Sequence, residues 1–151
     1  MDSNITVTRH VEFEAAHMLD DYPGACANLH GHSYKLEVTV TGPRTNAFGF
    51  VVDFKELNKI LKEIVPDHAY IYNTNSESEI ELGIAELLLN NGNSVWAIPC
   101  TASAENMSEI LAEQIQEELG SEYSVTELKL WETTNSYATW TPSCKCEGCE
   151  E

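Results

Sequence analysis

Fixed positive charge is scarce in this chain: eight Lys and Arg stand against 25 Asp and Glu, for a formal net charge of −17. Polyanions bind largely through counterions that basic side chains release, so nucleic acid is not expected as a partner. Long apolar runs are missing as well. Nothing approaches the roughly 18 consecutive residues that a membrane span requires, and no membrane partner is expected. Residues Met1 to Arg9 carry neither a basic segment nor an apolar core of the kind that marks an exported protein, which predicts a cytoplasmic location. The cysteines are few and uneven: there are five, an odd number, with Cys144, Cys146 and Cys149 crowded at the end. That is unlike the spread framework of a small disulfide-stapled domain, and reduced thiols are expected.

What is present fits one soluble core. The chain has 151 residues, 42% of them hydrophobic, which suits a single catalytic domain over residues 1–142 followed by a Cys-rich acidic tail over 143–151. Acidity at a distance does not exclude a small phosphorylated substrate, because a metal ion or a few local donors dominate at contact range.

From Ile5 to Phe13 the apolar residues fall on odd positions, the period of a half-buried strand, and His17 stays in phase if that strand runs on. After a loop with Asp20, Asp21, Pro23 and Gly24, alternation resumes on even positions through Tyr34, Leu36, Val38 and Val40, a face that His30 and His32 share. Antiparallel pairing of the two strands brings His17 to His30 and His32. Asp53 then caps a helical stripe of Phe54, Leu57, Ile60, Leu61 and Ile64 that Pro66 ends. A weaker stripe through Ile80, Ile84, Leu87 and Leu88 suggests a helix, and Val95–Ile98 a short strand. A second main helix is expected over Ala104–Leu119, between a Ser103 cap and Gly120. Strands at about 124–133 and 136–141 complete an α+β order of ββααββ: an antiparallel sheet with two main helices on one face.

Cys26-Ala27-Asn28-Leu29-His30-Gly31-His32 is the densest chemical run. Two histidines two apart on a strand point to one side, and a third from the neighbouring strand completes a three-nitrogen set of the kind catalytic zinc uses, with its fourth position open. Cys26 is close enough in sequence to act beside the metal as base or nucleophile. Asp67-His68 pairs an imidazole with a carboxylate and is able to move a proton; in isolation such a pair also fits an exposed turn after Pro66. Glu132 shares the face of Leu128 and Leu130, where a carboxylate needs a partner. A ligand with two parallel N–H donors, such as the amino-pyrimidinone edge of a guanine or pterin, suits it; a strand-end glutamate reaching water suits the sequence equally well.

Taken together, Phe13-Glu14-Ala15-Ala16-His17, Cys26 through His32, Gly49 to Phe54, Asp67-His68, Ser103-Ala104-Glu105-Asn106 and Glu132-Thr133 resemble the family of 6-pyruvoyl- and 6-carboxy-tetrahydropterin synthases, in the family's order over about residues 5–140. The resemblance implies the tunnelling fold, a homohexamer built as a dimer of trimers, and active sites at subunit interfaces. It makes His17, His30 and His32 the Zn2+ ligands and Cys26 the catalytic base, with Asp67 and His68 completing its proton relay. Glu132 anchors the pterin ring and Glu105 stands at the pocket edge. The three residues between Cys26 and His30 look like the carboxy branch. That branch converts 7,8-dihydroneopterin triphosphate to 6-carboxy-5,6,7,8-tetrahydropterin, acetaldehyde and triphosphate, toward queuosine and related 7-deazaguanines. The run from Asp67 to Asn73 is one residue longer than the family's Asp-His-x-x-Leu-Asn.

Three other readings compete. One is the pyruvoyl sibling. Another is a hydrolase using Cys26, His68 and Asp67, which leaves the histidines unexplained. The third is a non-enzymatic protein that holds zinc with its histidines and the Cys144-Cys146-Cys149 tail.

Overall fold

The computed structural model describes residues 4–143, so the expectations for the cysteine tail lie outside the described residues. Two twelve-residue strands, β1 (Thr6–His17) and β2 (His30–Thr41), form its spine. They pair antiparallel without a break from Thr6 opposite Thr41 to His17 opposite His30. Unbroken pairing keeps the two-residue period in phase, so Val11, Phe13, Ala15 and His17 share one buried face with Tyr34, Leu36, Val38 and Val40. β1 therefore runs on to His17, as the phase of that residue required.

Onto this face pack α1 (Phe54–Ile64) and α3 (Ala104–Leu119). Asp53 caps α1 by accepting the Lys55 N–H, and Ser103 caps α3 by accepting that of Asn106. Leu57 and Leu61 from α1 meet Met107, Leu111 and Ile115 from α3 in one core. Burial of each such side chain contributes about 1.5–3 kcal/mol. β5 (Ser124–Trp131) pairs with β2, and β6 (Tyr137–Trp140) with β5, both antiparallel. No helix among the described residues is long and apolar enough to cross a membrane.

The α+β class stands, with two details to correct. A strand absent from the sequence reading, β3 (Ala69–Asn73), runs parallel to β1 and carries β4 (Val95–Ile98), also parallel, at its other edge. The six-stranded sheet, ordered β4-β3-β1-β2-β5-β6, is thus mixed rather than antiparallel throughout. The second correction concerns α2 (Glu79–Asn90), which packs on β3 and β4. Its inward residues are Glu81 and Ala85, while Ile80 and Leu87 of the expected stripe remain 68% and 66% exposed. Ile71 points into the main core; its neighbour Tyr70, outside that core, meets α2, with its hydroxyl donating to the Glu81 carbonyl at 3.4 Å.

Glu81 is only 2% exposed, and its carboxylate accepts the backbone N–H of Asn73 at 2.9 Å. Glu81→Ala leaves that N–H without its partner, and the variant should lose about 1–3 kcal/mol in urea unfolding. A loss below a few tenths would show that water replaces the carboxylate there.

Candidate active site

The three histidines converge as the strand register dictates. His17 lies opposite His30 and Ala15 opposite His32, so all three imidazoles emerge on the core-facing side at one end of the β1–β2 ribbon. Two are fixed by backbone carbonyls: His17 Nδ1 donates to Ala102 O at 2.7 Å, and His30 Nδ1 to Asn28 O, also at 2.7 Å. A ring that donates through Nδ1 presents a lone pair at Nε2. His17 Nε2 and His30 Nε2 face each other at 3.1 Å. Two lone pairs at that distance repel unless a proton or cation lies between them.

His32 completes the set. Its Nε2 is buried, and although Glu132 Oε1 lies 3.0 Å away, the contact is out of line for a hydrogen bond. The ligand atoms of the three residues all fall within 4.8 Å of one another. A tetrahedral zinc ion with Zn–N bonds of about 2.0–2.1 Å sets its nitrogens about 3.4 Å apart, so the donor set, its spacing and its carbonyl-oriented rings fit that ion. Three protein nitrogens also leave one position open.

Burial disfavours the imidazolium form. It lowers the His17 pKa to about 4, against the Ala102 hydrogen bond and with the neighbouring histidines adding to the effect. His32 moves in the same direction, burial again leading. Neutral imidazoles are the metal-binding form, so burial of His17 and His32 favours the form that binds a metal. In chelator-treated protein the consequence reverses. An unfolded histidine takes up its proton near pH 6.5 whereas folded His17 resists until about pH 4. Stability should therefore fall by about 3 kcal/mol as pH drops through that window. Urea titrations from pH 7 to 4 check this, and a flat profile in His17→Gln assigns the slope.

Glu132 stands just past β5, and Glu105 opens α3. The two line one cavity of about 240 Å³ with Ala104, Thr133, Ser136 and Tyr137. The structure thus brings together the carboxylates expected at the pocket, with Glu132 bridging from that cavity to His32.

Cys26 sits in a 3₁₀ turn, Ala25–Ala27, in the loop joining β1 to β2. Its carbonyl accepts the Leu19 N–H at 2.9 Å, and two residues later Asn28 orients His30. The half-buried thiol is thereby tethered to the strand that carries His30 and His32. Asp67 and His68 do pair, with Oδ1 3.0 Å from Nδ1. The same Oδ1 accepts the Glu14 N–H, which is the leading cause of the lowered Asp67 pKa. His68 adopts φ 56°, an uncommon left-handed conformation for a residue with a side chain, held by its N–H bond to Glu14 O. No described hydrogen bond or ion pair joins this pair to Cys26. Instead His68 lines a cavity of about 470 Å³ with Glu14, Ala16, Ser33 and Tyr70, a cavity that His32 also borders.

Sequence reading passed over Ala102 and Asn28, which act through backbone carbonyls and leave no side-chain signal. It also passed over Tyr34, which the two-residue period from His30 and His32 places on the same face.

A profile of the family described as 6-pyruvoyl tetrahydropterin synthase matches residues 6–143. The 6-carboxy-5,6,7,8-tetrahydropterin synthase of Haemophilus influenzae is 31% identical over 140 residues, covering 89% of this chain and 96% of that protein. The enzyme of the same name from Rickettsia bellii is 32% identical over 138 residues, covering 88% and 97%. Among solved structures, the 6-pyruvoyl tetrahydropterin synthase of Caenorhabditis elegans superposes with a TM-score of 0.67 at 20% identity, over 93% of this chain and 97% of that one. That of Plasmodium vivax gives 0.69 at 20% identity, over 92% and 98%.

Proposed function

This chain belongs to the 6-pyruvoyl tetrahydropterin synthase family, and on that premise we propose that it is a zinc-dependent 6-carboxy-5,6,7,8-tetrahydropterin synthase. Its substrate is 7,8-dihydroneopterin triphosphate, which with water yields the carboxypterin, acetaldehyde and triphosphate, a step toward 7-deazaguanines. The observation that carries the reading is the convergence of three imidazoles, with Glu132, 3.0 Å from His32, also lining a cavity with Glu105. The carboxy branch is supported by the short Cys26-to-His30 spacing and by the names of the curated relatives.

His17, His30 and His32 hold the ion, whose chemistry is to polarise the substrate's side-chain oxygens and acidify the adjoining C–H bonds. Glu132 accepts the paired N–H groups of the pterin edge, and Glu105 borders the same cavity. Cys26 removes and returns protons on the substrate side chain, and His68, oriented by Asp67, exchanges them with solvent. No described hydrogen bond or ion pair joins Asp67 and His68 to Cys26 within one chain, so in this reading the relay closes between subunits, which is the role of the proposed hexamer of two trimers.

The test is turnover of zinc-loaded protein on 7,8-dihydroneopterin triphosphate with products identified by mass. Carboxytetrahydropterin with an equivalent of acetaldehyde supports the reading. A pyruvoyl product would move the chain to the sibling branch, and zinc binding without turnover would favour a metal-holding protein.

A further inference from the structure

Tyr34 is a fully buried phenol that the chemistry above does not use. Its ring stacks on Phe13 with centroids 5.0 Å apart and meets His17 and His32 nearly edge-on at 6.2 and 5.4 Å. It thus forms the floor beneath the imidazoles. Its hydroxyl has no hydrogen-bond partner, and leaving a buried O–H unpaired costs about 1–3 kcal/mol. Phenylalanine fills the same shape without that cost, so the hydroxyl calls for an acceptor.

The sheet register points to one. Val38 pairs with Leu128 and Leu36 with Leu130; one pair further, Tyr34 faces Glu132 on the same side of the sheet. Burial first, and then the Glu132 charge, raise the phenol above its ordinary pKa. In the structure Glu132 Oε1 lies 3.0 Å from His32 Nε2, out of line for a hydrogen bond, so the carboxylate still calls for a donor. His32 is itself one of the three converging residues, and an ion held by its Nε2 would leave that nitrogen with no proton to offer Glu132.

We propose that Tyr34 is the positioning residue of Glu132: its hydroxyl donates to the carboxylate when His32 ligates the ion, leaving the remaining lone pairs aimed at the pterin edge. This rests on reading the chain as a pterin enzyme. A carboxylate has about four acceptor sites, so it takes the phenol O–H and two ligand N–H groups together. Ion and pterin then favour each other's binding, and the coupling is reciprocal.

The experiment titrates zinc-loaded, full-length wild type and Tyr34→Phe with 7,8-dihydroneopterin and with the analogue lacking the 2-amino group, following ligand fluorescence. Wild type should prefer the amino-bearing ligand. The variant should bind it about tenfold more weakly and the analogue with a clearly smaller loss, because the analogue keeps only one of the two N–H donors and a hydrogen bond to a charged group is worth about that factor. Zinc content and melting temperature should hold. Equal losses for both ligands would mark Tyr34 as mere packing and overturn the proposal, as would no loss. Failure of wild type to bind the dihydropterin would overturn the proposal and the functional reading together. Should the variant not fold, zinc addition to wild type should red-shift the tyrosine absorption as a phenol begins to donate, and Glu132→Gln should abolish the shift. Absence of the shift in wild type would overturn the proposal.

Discussion

His30→Ala should strip the protein of its zinc and lower turnover at least about a thousandfold while leaving the chain folded. His30 sits at the mouth of the cluster, half-buried, where its loss opens to solvent rather than to a sealed void. Two remaining imidazoles hold an ion far less tightly than three, because each missing ligand must be replaced by water and the orienting carbonyl of Asn28 loses its purpose. His17→Ala is the harsher variant. His17 is 0% exposed and its Nδ1–H satisfies the buried carbonyl of Ala102. Truncation there adds a cavity and an unpaired acceptor, for about 2–4 kcal/mol of lost stability beside the lost metal. Zinc per chain by mass spectrometry, turnover and melting temperature separate the two cases. Wild-type zinc affinity in His30→Ala would place the ion elsewhere and sink the assignment.

The histidine cluster was legible because a strand's period is short and strict. Once Val11 and Phe13 set the phase of β1, His17 had to fall on the same face, and the even positions of β2 fixed His30 and His32 likewise. α1 and α3 were legible for a different reason, since each carries a capping side chain at its start and large apolar residues on its inner face. β3 escaped notice because Ala69, Tyr70 and Ile71 are all buried, and a strand covered on both sides has no alternation to read. α2 misled because its inward positions are Glu81 and Ala85, whereas Ile80 and Leu87 point outward. Asp67 and His68 were recognised as neighbours, but their placement was not written in their sequence. It follows from the left-handed turn at His68 and from the parallel pairing of β3 with β1, both of which depend on tertiary contacts.

That placement leads to the second large effect. Cys26→Ala and His68→Ala should each fall at least about a hundredfold in turnover, the contribution of a positioned base or its relay, with zinc retained in both. If the thiol and the imidazole of a site came from one chain, mixing the two dead variants would recover nothing. No described contact joins them within one chain: Cys26 is tethered to the histidine strand through Asn28, while His68 lines the cavity of Glu14, Ala16 and Ser33, which His32 also borders. A site assembled between copies therefore needs an intact Cys26 from one and an intact His68 from the other. Co-expressing the variants with different tags and isolating mixed oligomers should restore about a quarter of wild-type activity, the fraction of sites that random assembly leaves with both groups. Mixed oligomers as inactive as their parents would mean that the relay closes within a chain or that His68 takes no part. Recovery in Cys26→Ala mixed with Asp67→Asn as well would show that the carboxylate acts through His68, because the hydrogen bond between them is made within one subunit.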